Sequence, residues 1–273
     1  MIGQTKLLDK IDKLTNNFPR FVMLVGGRGS GKKLICNEIA KKLGYPLVSM
    51  GTGVDEVREV IQNSYTNTEP IVYAIPDTDK MSVSAKNALL KITEEPPQKA
   101  YFVLTLTDSA NTLNTLRSRA CMLNMDNYTP EELYSYLSSK YDISSLEEED
   151  IKFIINVAIV PEQVDIMMSY DIVEFIEFVE KVVENLHVVS SANAFKIESK
   201  LALKKDEEKW NLIIFLQALR YLYLENYYRK QEVNYFKMFQ CVSKTITEIN
   251  TKNSVNLQYT LDECILQLRQ CWR

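Results

Sequence analysis

Residues 20–33 read R-F-V-M-L-V-G-G-R-G-S-G-K-K. The apolar run 20–25 ends abruptly in glycines and a lysine pair opens the next segment, so a buried strand is expected to turn sharply into a helix. Gly26, Gly31 and Lys32 have the spacing G-x-x-x-x-G-K, in the strand-before, helix-after context of a phosphate-binding loop. The chemistry accounts for the residue types. Gly26, Gly29 and Gly31 let the backbone curl until its amides point inward at phosphate oxygens. The helix N-terminus adds its positive dipole, and Lys32 would reach the outer phosphates.

Outward from this loop the chain alternates. Residues 5–14 have helical periodicity, and 32–43 form a helix closed by Gly44 with Pro46 just beyond. Residues 46–49 are a short strand, 55–65 a helix capped by Asp55, and 70–75 a strand. A helix at 82–93 stops before Pro96 and Pro97, and 101–107 is a further strand. Strand–helix alternation predicts an α/β unit whose parallel sheet is covered on both faces.

All eight glycines fall at or before Gly53 and all eight prolines at or before Pro161, so the second half of the chain is expected to be largely helical. Thr129 with Glu132 three residues on makes a capping box. The polar stretch 190–193 marks a further boundary. The expected division is 1–126 for the sheet unit, 127–189 for a small helical unit and 190–273 for a second helical unit. The last holds Tyr221, Tyr223, Tyr227, Tyr228, Tyr235, Phe236 and Phe239, whose helical spacing favours a core or a subunit interface over a base-stacking surface.

Composition narrows the function. Of 273 residues 46% are hydrophobic and 25% charged, and the net charge is −4, which gives no overall basic field for nucleic acid. No apolar run approaches the roughly 18 residues a membrane span needs, and the amphipathic start lacks a signal-peptide core. A cytoplasmic protein without membrane contact is expected. Cys36, Cys121, Cys241, Cys264 and Cys271 are scattered, with no C-x-x-C pair, so free thiols are expected rather than zinc or disulfides. His187 reads as a packing residue. No metal site is expected.

Two positions around the loop break the pattern of a working nucleotide site. A Ser or Thr hydroxyl that binds magnesium should follow the lysine. Lys33 stands there, and an ammonium cannot ligate a cation. The strand 71–75 should end in an aspartate and then a glutamate; it continues Pro76, Asp77, Thr78, Asp79. In the direct register Pro76 takes the magnesium ligand's place and Asp77 that of the residue polarising water. A bulge would move Asp77 into the first role and leave the second empty. ATP remains a candidate ligand of Gly26, Gly29, Gly31, Lys32 and Lys33, with the Lys33 ammonium standing in for part of the metal's charge. It is not a required cofactor.

Residues 84–97, S-A-K-N-A-L-L-K-I-T-E-E-P-P, and 115–121, T-L-R-S-R-A-C, resemble two signatures of the bacterial AAA+ clamp-loader family. Ile2-Gly3-Gln4 and the D-E-V-R at 55–58 are similar to its opening element and to the segment before its second acidic strand. The resemblance spans residues 1–126. It implies an AAA+ phosphate-loop sheet domain, a helical lid and an all-α C-terminal collar.

Within that family the degenerate loop and acidic motif resemble the delta-prime type of DNA polymerase III subunit. This implies no ATPase of its own, with an arginine finger, Arg119, supplied to a neighbour's nucleotide. Arg117 is the nearby competitor, and Ala120 replaces the family's usual Cys. The implied partners are other clamp-loader subunits, with the sliding clamp and primer–template DNA reached through the complex. The family's zinc module is absent. The lid stretch 157–164, V-A-I-V-P-E-Q-V, has neither the glycines nor the sensor residue the family offers there. A weakly active motor-type ATPase and a stand-alone accessory protein are the alternative readings.

Overall fold

The computed structural model describes residues 2–186, 208–251 and 255–272. They form two compact units, 1–128 and 129–273, of which the first carries the sheet. Its strands are β1 (Phe21–Val25), β2 (Leu47–Ser49), β3 (Ile71–Ile75), β4 (Ala100–Leu106) and β5 (Cys121–Asn124). All pair in parallel, in the order β2-β3-β4-β1-β5. β5 lay outside the sequence expectation. Its four residues sit inside the T-L-R-S-R-A-C-M-L-N stretch, too short for a period-2 pattern to emerge.

Helices α1 (Thr5–Leu14), α2 (Lys32–Leu43), α3 (Val54–Ser64), α4 (Val83–Glu94) and α5 (Asn114–Arg117) cover the sheet. Successive strand residues serve opposite faces. Phe21, Met23, Tyr73, Ile75, Phe102 and Leu104 join α3 and α4 residues such as Val57, Leu89 and Ile92 in one core. Val22, Leu24, Val72, Val103 and Leu123 join Leu7, Ile11, Ile35 and Ile39 of α1 and α2 in the other. A one-residue slip of β1 would exchange these sets, so its register against Phe102–Leu106 is strongly specified. The chain leaves β1 over one face through α2 and returns from β2 and β3 over the other through α3 and α4. The crevice between β1 and β4 is therefore the sheet's switch point, where such folds place ligands.

One cap differs from expectation. α3 starts a residue before Asp55. Gly53 is its N-cap, and the Glu56 carboxylate reaches back to accept from the Gly53 N–H at 3.2 Å. α2 ends as expected, with Gly44 left-handed at φ 72° and the Tyr45 N–H bonded to the Ala40 carbonyl.

The second unit holds α6 (Pro130–Lys140), α7 (Glu148–Val157), α8 (Pro161–Met168), α9 (Ile172–Asn185), α10 (Glu208–Lys230), α11 (Val233–Thr251) and α12 (Leu257–Gln270). Thr129 and Glu132 close the expected capping box on α6. α10 packs against α7, α9 and α11, so helices from both sides of the expected 189/190 boundary belong to one unit; that boundary and His187 lie outside the described residues. Of the aromatic group, Tyr223 and Tyr235 are core. Tyr228, Tyr227, Phe236 and Phe239 form a ladder with successive ring centroids 5.6, 5.2 and 5.9 Å apart. Tyr228 and Phe236 are exposed. Among the described residues no helix is long and apolar enough to cross a membrane.

The five cysteines carry free thiols. Burial in the α2 face pushes the Cys36 thiol up to about 12, against the opposing pull of the Lys32 charge. The folded thiol therefore stays protonated while the unfolded one ionises near its ordinary value of 9.0, so the stability it contributes is full below pH 9 and falls between about 9 and about 12. Alkylation of native protein at pH 9 should leave Cys36 unmodified by peptide mass mapping, and urea should expose it to full labelling; native labelling of Cys36 would contradict this packing.

Candidate functional site: the ends of β1, β3 and β4

The phosphate-loop motif leaves β1 at the switch point. The Gly26 N–H donates to the Leu106 carbonyl at 3.0 Å, which pins the start of the loop to the last residue of β4. Gly26 has no room for a side chain, because a Cβ there would lie 2.8 Å from both the Met125 sulfur and the Ser30 hydroxyl oxygen. Gly29 and Gly31 take left-handed φ values of 74° and 90°, which glycine alone adopts without strain. Gly31 is the N-cap of α2 and supplies no side-chain acceptor.

The inside of the loop is held by its own groups. The Lys32 ammonium donates to the carbonyls of Gly26 and Gly27 at 2.8 and 2.9 Å, and the Ser30 hydroxyl donates to the Gly27 carbonyl at 2.7 Å. The Tyr128 hydroxyl donates to the Ser30 carbonyl at 2.8 Å. Lys33, one residue on, is exposed on the first turn of α2.

The acidic motif converges on the same place by a different route. Pro76 ends β3, and Asp77 follows with φ 45°, a left-handed conformation that Asp tolerates better than most residues. Its carboxylate pairs with Lys80 at 2.9 Å, and both side chains are largely exposed. Asp79 is tied more firmly. One of its carboxylate oxygens accepts from the N–H groups of Thr107 and Asp108 at 3.0 and 3.3 Å, just beyond β4. The Asp79 carbonyl also accepts from the buried Lys86 ammonium at 2.8 Å. Thus the loop after β1 and the turn after β3 are both fastened to residues 106–108.

This donor set does not fit magnesium. The position for a ligating hydroxyl holds Lys33, the strand-end position holds Pro76, and Asp77 faces Lys80; of Asp79, one oxygen closes a backbone clasp and the other, buried without a hydrogen-bond partner, would be a single ligand. Glycine turns and a helix N-terminus remain, and these are groups that suit phosphate oxygens.

Arg119 lies elsewhere. β5 opens with Cys121 opposite Val22, at the start of β1, whereas the loop begins at Gly26 beyond its end. Four residues of strand separate the two rims, about 13 Å at roughly 3.3 Å per residue. Arg119 precedes β5 at the far rim of the sheet, on the side of its edge strand, and is not brought together with Gly26, Lys32 or Asp79. Its guanidinium donates to the Thr115 carbonyl at 3.0 Å and to the Glu94 carboxylate at 3.3 Å. Arg117 makes a 3.5 Å contact with the Asn114 side-chain oxygen.

Two supports escaped sequence reasoning. The buried Gln4, at φ 61°, exchanges hydrogen bonds with the backbone of Asp126: its amide nitrogen donates to the Asp126 carbonyl at 2.7 Å and its amide oxygen accepts from the Asp126 N–H at 2.9 Å. Tyr128 closes the loop from the same segment. Both contacts join positions some hundred residues apart, and no local pattern announces them. In the second unit, the buried Gln163 of the expected lid stretch accepts from the Ile159 N–H at 2.8 Å and fixes the turn before α8.

Asp79 and Asp77 should respond differently to substitution. Asp79→Ala removes an ionised acceptor from two amides and should cost about 1.5–3 kcal/mol in urea unfolding. Asp77→Asn breaks an exposed pair while keeping a residue type that tolerates the left-handed φ, and should cost less than about 1 kcal/mol. Equal costs would argue against the clasp.

Comparison with known proteins adds the following. A family model described as "DNA polymerase III, delta subunit" matches residues 50–129. DNA polymerase III subunit gamma of Buchnera aphidicola subsp. Schizaphis graminum is 25% identical over 263 residues, covering 84% of this chain and 71% of that protein. DNA polymerase III subunit delta' of Haemophilus influenzae is 34% identical over 110 residues, which is 39% of this chain and 32% of that protein. The chain thus aligns with about a third of this delta' relative's length. Among solved structures, a DNA polymerase III gamma subunit-related protein of Thermotoga maritima superposes with a TM-score of 0.53 at 17% identity, covering 98% of this chain and 100% of that one. This last likeness concerns the fold alone.

Proposed function

We propose a role for this chain from one premise: it belongs to the AAA+ clamp-loader family. The role is that of a non-catalytic subunit of the delta-prime type. It sits in a DNA polymerase III clamp-loader complex, does not turn over ATP itself, and completes a neighbour's ATP site through Arg119. Sliding clamp and primer–template DNA are engaged through the complex. No cofactor of its own is required; any nucleotide held by Gly26, Gly29, Gly31, Lys32 and Lys33 serves the fold rather than catalysis.

The observation that carries this reading is the division of the chemistry between the two rims of the sheet. At the loop rim Lys32 is bonded to Gly26 and Gly27, Asp77 to Lys80, and one oxygen of Asp79 to Thr107 and Asp108, while Lys33 is exposed. At the opposite rim Arg119 is half exposed, with two of its five N–H donors engaged. From there it does not reach its own loop, which supports a role toward a phosphate supplied from outside the chain. A guanidinium delivered to a transferring phosphoryl group stabilises the charge that builds there. The exposed aromatic ladder of Tyr228, Tyr227, Phe236 and Phe239 suits burial against a neighbouring helix bundle.

The similarity to a gamma subunit over most of the chain favours a second reading, a slow motor-type ATPase dependent on Lys32. One experiment separates the two. The chain is reconstituted with motor subunits and clamp, and DNA-stimulated ATP turnover is measured. Arg119→Ala should depress turnover at the site it completes by about 10³-fold or more, while Lys32→Ala leaves it unchanged. A loss on Lys32→Ala with none on Arg119→Ala would favour the motor reading.

A further inference from the structure

We infer that Glu94 is a positioning residue for Arg119, holding its guanidinium ready for the neighbour's phosphate. The inference rests on the arginine-finger reading above. The geometry that motivates it is a two-point hold. One terminal nitrogen of Arg119 donates to the Thr115 carbonyl at 3.0 Å and the other to the Glu94 carboxylate at 3.3 Å. Contacts through two different nitrogens fix both the position and the plane of the group.

The anchors are themselves rigid. Glu94 is the last residue of α4, whose Ala85, Leu89 and Ile92 are fully buried. Thr115 lies in α5, next to the fully buried Leu116, and all four of these apolar residues belong to one core. The side chain that must reach outward is thus held from two helices packed into that core. Arg117, on the same short helix, has no comparable hold; its contact is to a neutral amide at 3.5 Å.

Exposure sets the size of the effect. The side chains of Arg119 and Glu94 are 39% and 60% exposed, and only one oxygen of Glu94 is used. An open, single-contact pair orients a group without trapping it, so the remaining donors stay free to meet phosphate oxygens. Ordering a long side chain beforehand lowers the entropic cost of placing it at the transition state. The expected contribution is therefore modest, roughly two- to five-fold in rate, far below that of the finger itself.

The test uses the complete assembly with motor subunits, clamp and primed DNA, and compares wild type, Glu94→Ala, Glu94→Gln, Arg119→Ala and the double variant E94A/R119A. Glu94→Ala should lower kcat by about two- to five-fold with KM for ATP unchanged, and the loss should shrink as salt is raised. Glu94→Gln keeps an acceptor oxygen and should stay within about two-fold of wild type. In the Arg119→Ala background Glu94→Ala should add nothing. An undiminished kcat for Glu94→Ala overturns the inference, as does an equal fractional loss in the Arg119→Ala background, which would mark a general structural effect. Arg119→Ala with wild-type turnover would instead overturn the finger reading, and this inference with it.

Discussion

The C-terminal end of β4 is the constraint on which the rest of the first unit depends. The Leu106 carbonyl accepts from Gly26 at the head of the phosphate loop, and the next two N–H groups are taken by the Asp79 carboxylate. Three strand ends are thereby fixed against one another over three consecutive residues. The arrangement follows from the strand order: β4 lies between β3 and β1, so only its end can touch both motifs. In a working phosphate-loop enzyme the crevice beside this end holds metal and water. Here one oxygen of the Asp79 carboxylate is bonded to backbone at that end.

That bonding is coherent in energetic terms. A carboxylate kept free for a metal sits close to other polar groups and costs stability unless the metal is present. Once Lys33 and Pro76 occupy the ligand positions, a free Asp79 would have no cation to satisfy it. One oxygen of Asp79 is turned onto two amides in a charge-assisted clasp, while the other is buried without a hydrogen-bond partner. Lys32 behaves in the same way, bridging two carbonyls at the start of its own loop.

Much of the sheet unit was legible in the sequence because its signals are local. The run 20–25, the glycines after it and the C-cap at Gly44 each declare themselves within a few residues. β5 was not legible, because four residues after a charged turn carry too little pattern, and its place at the edge of the sheet is fixed by pairing with β1. The cap of α3 was misread because Asp55, a good capping type, lies inside the helix, while the work is done by Glu56 reaching back to Gly53. Of the site, the residues at each rim were legible by motif. Their separation was not, since it follows from β5 pairing in parallel with β1, a long-range contact with no local signal. The Gln4–Asp126 exchange and the Asp79 clasp were hidden for the same reason: each joins segments that only the completed fold brings together.

The two rims also differ in how they tolerate change. The loop rim is packed: Gly26 has no space for a methyl group, and Asp79 and Lys86 are tied into neighbouring backbone. Substitution there is felt by the fold. Arg119 sits in the opposite condition. It is half exposed, and its ion pair with Glu94 is of the open kind that contributes little to stability. Folding alone would place few demands on that position. On the function proposed above, an arginine held by two contacts from a packed core, at the rim away from its own loop, would act on a neighbouring subunit's nucleotide.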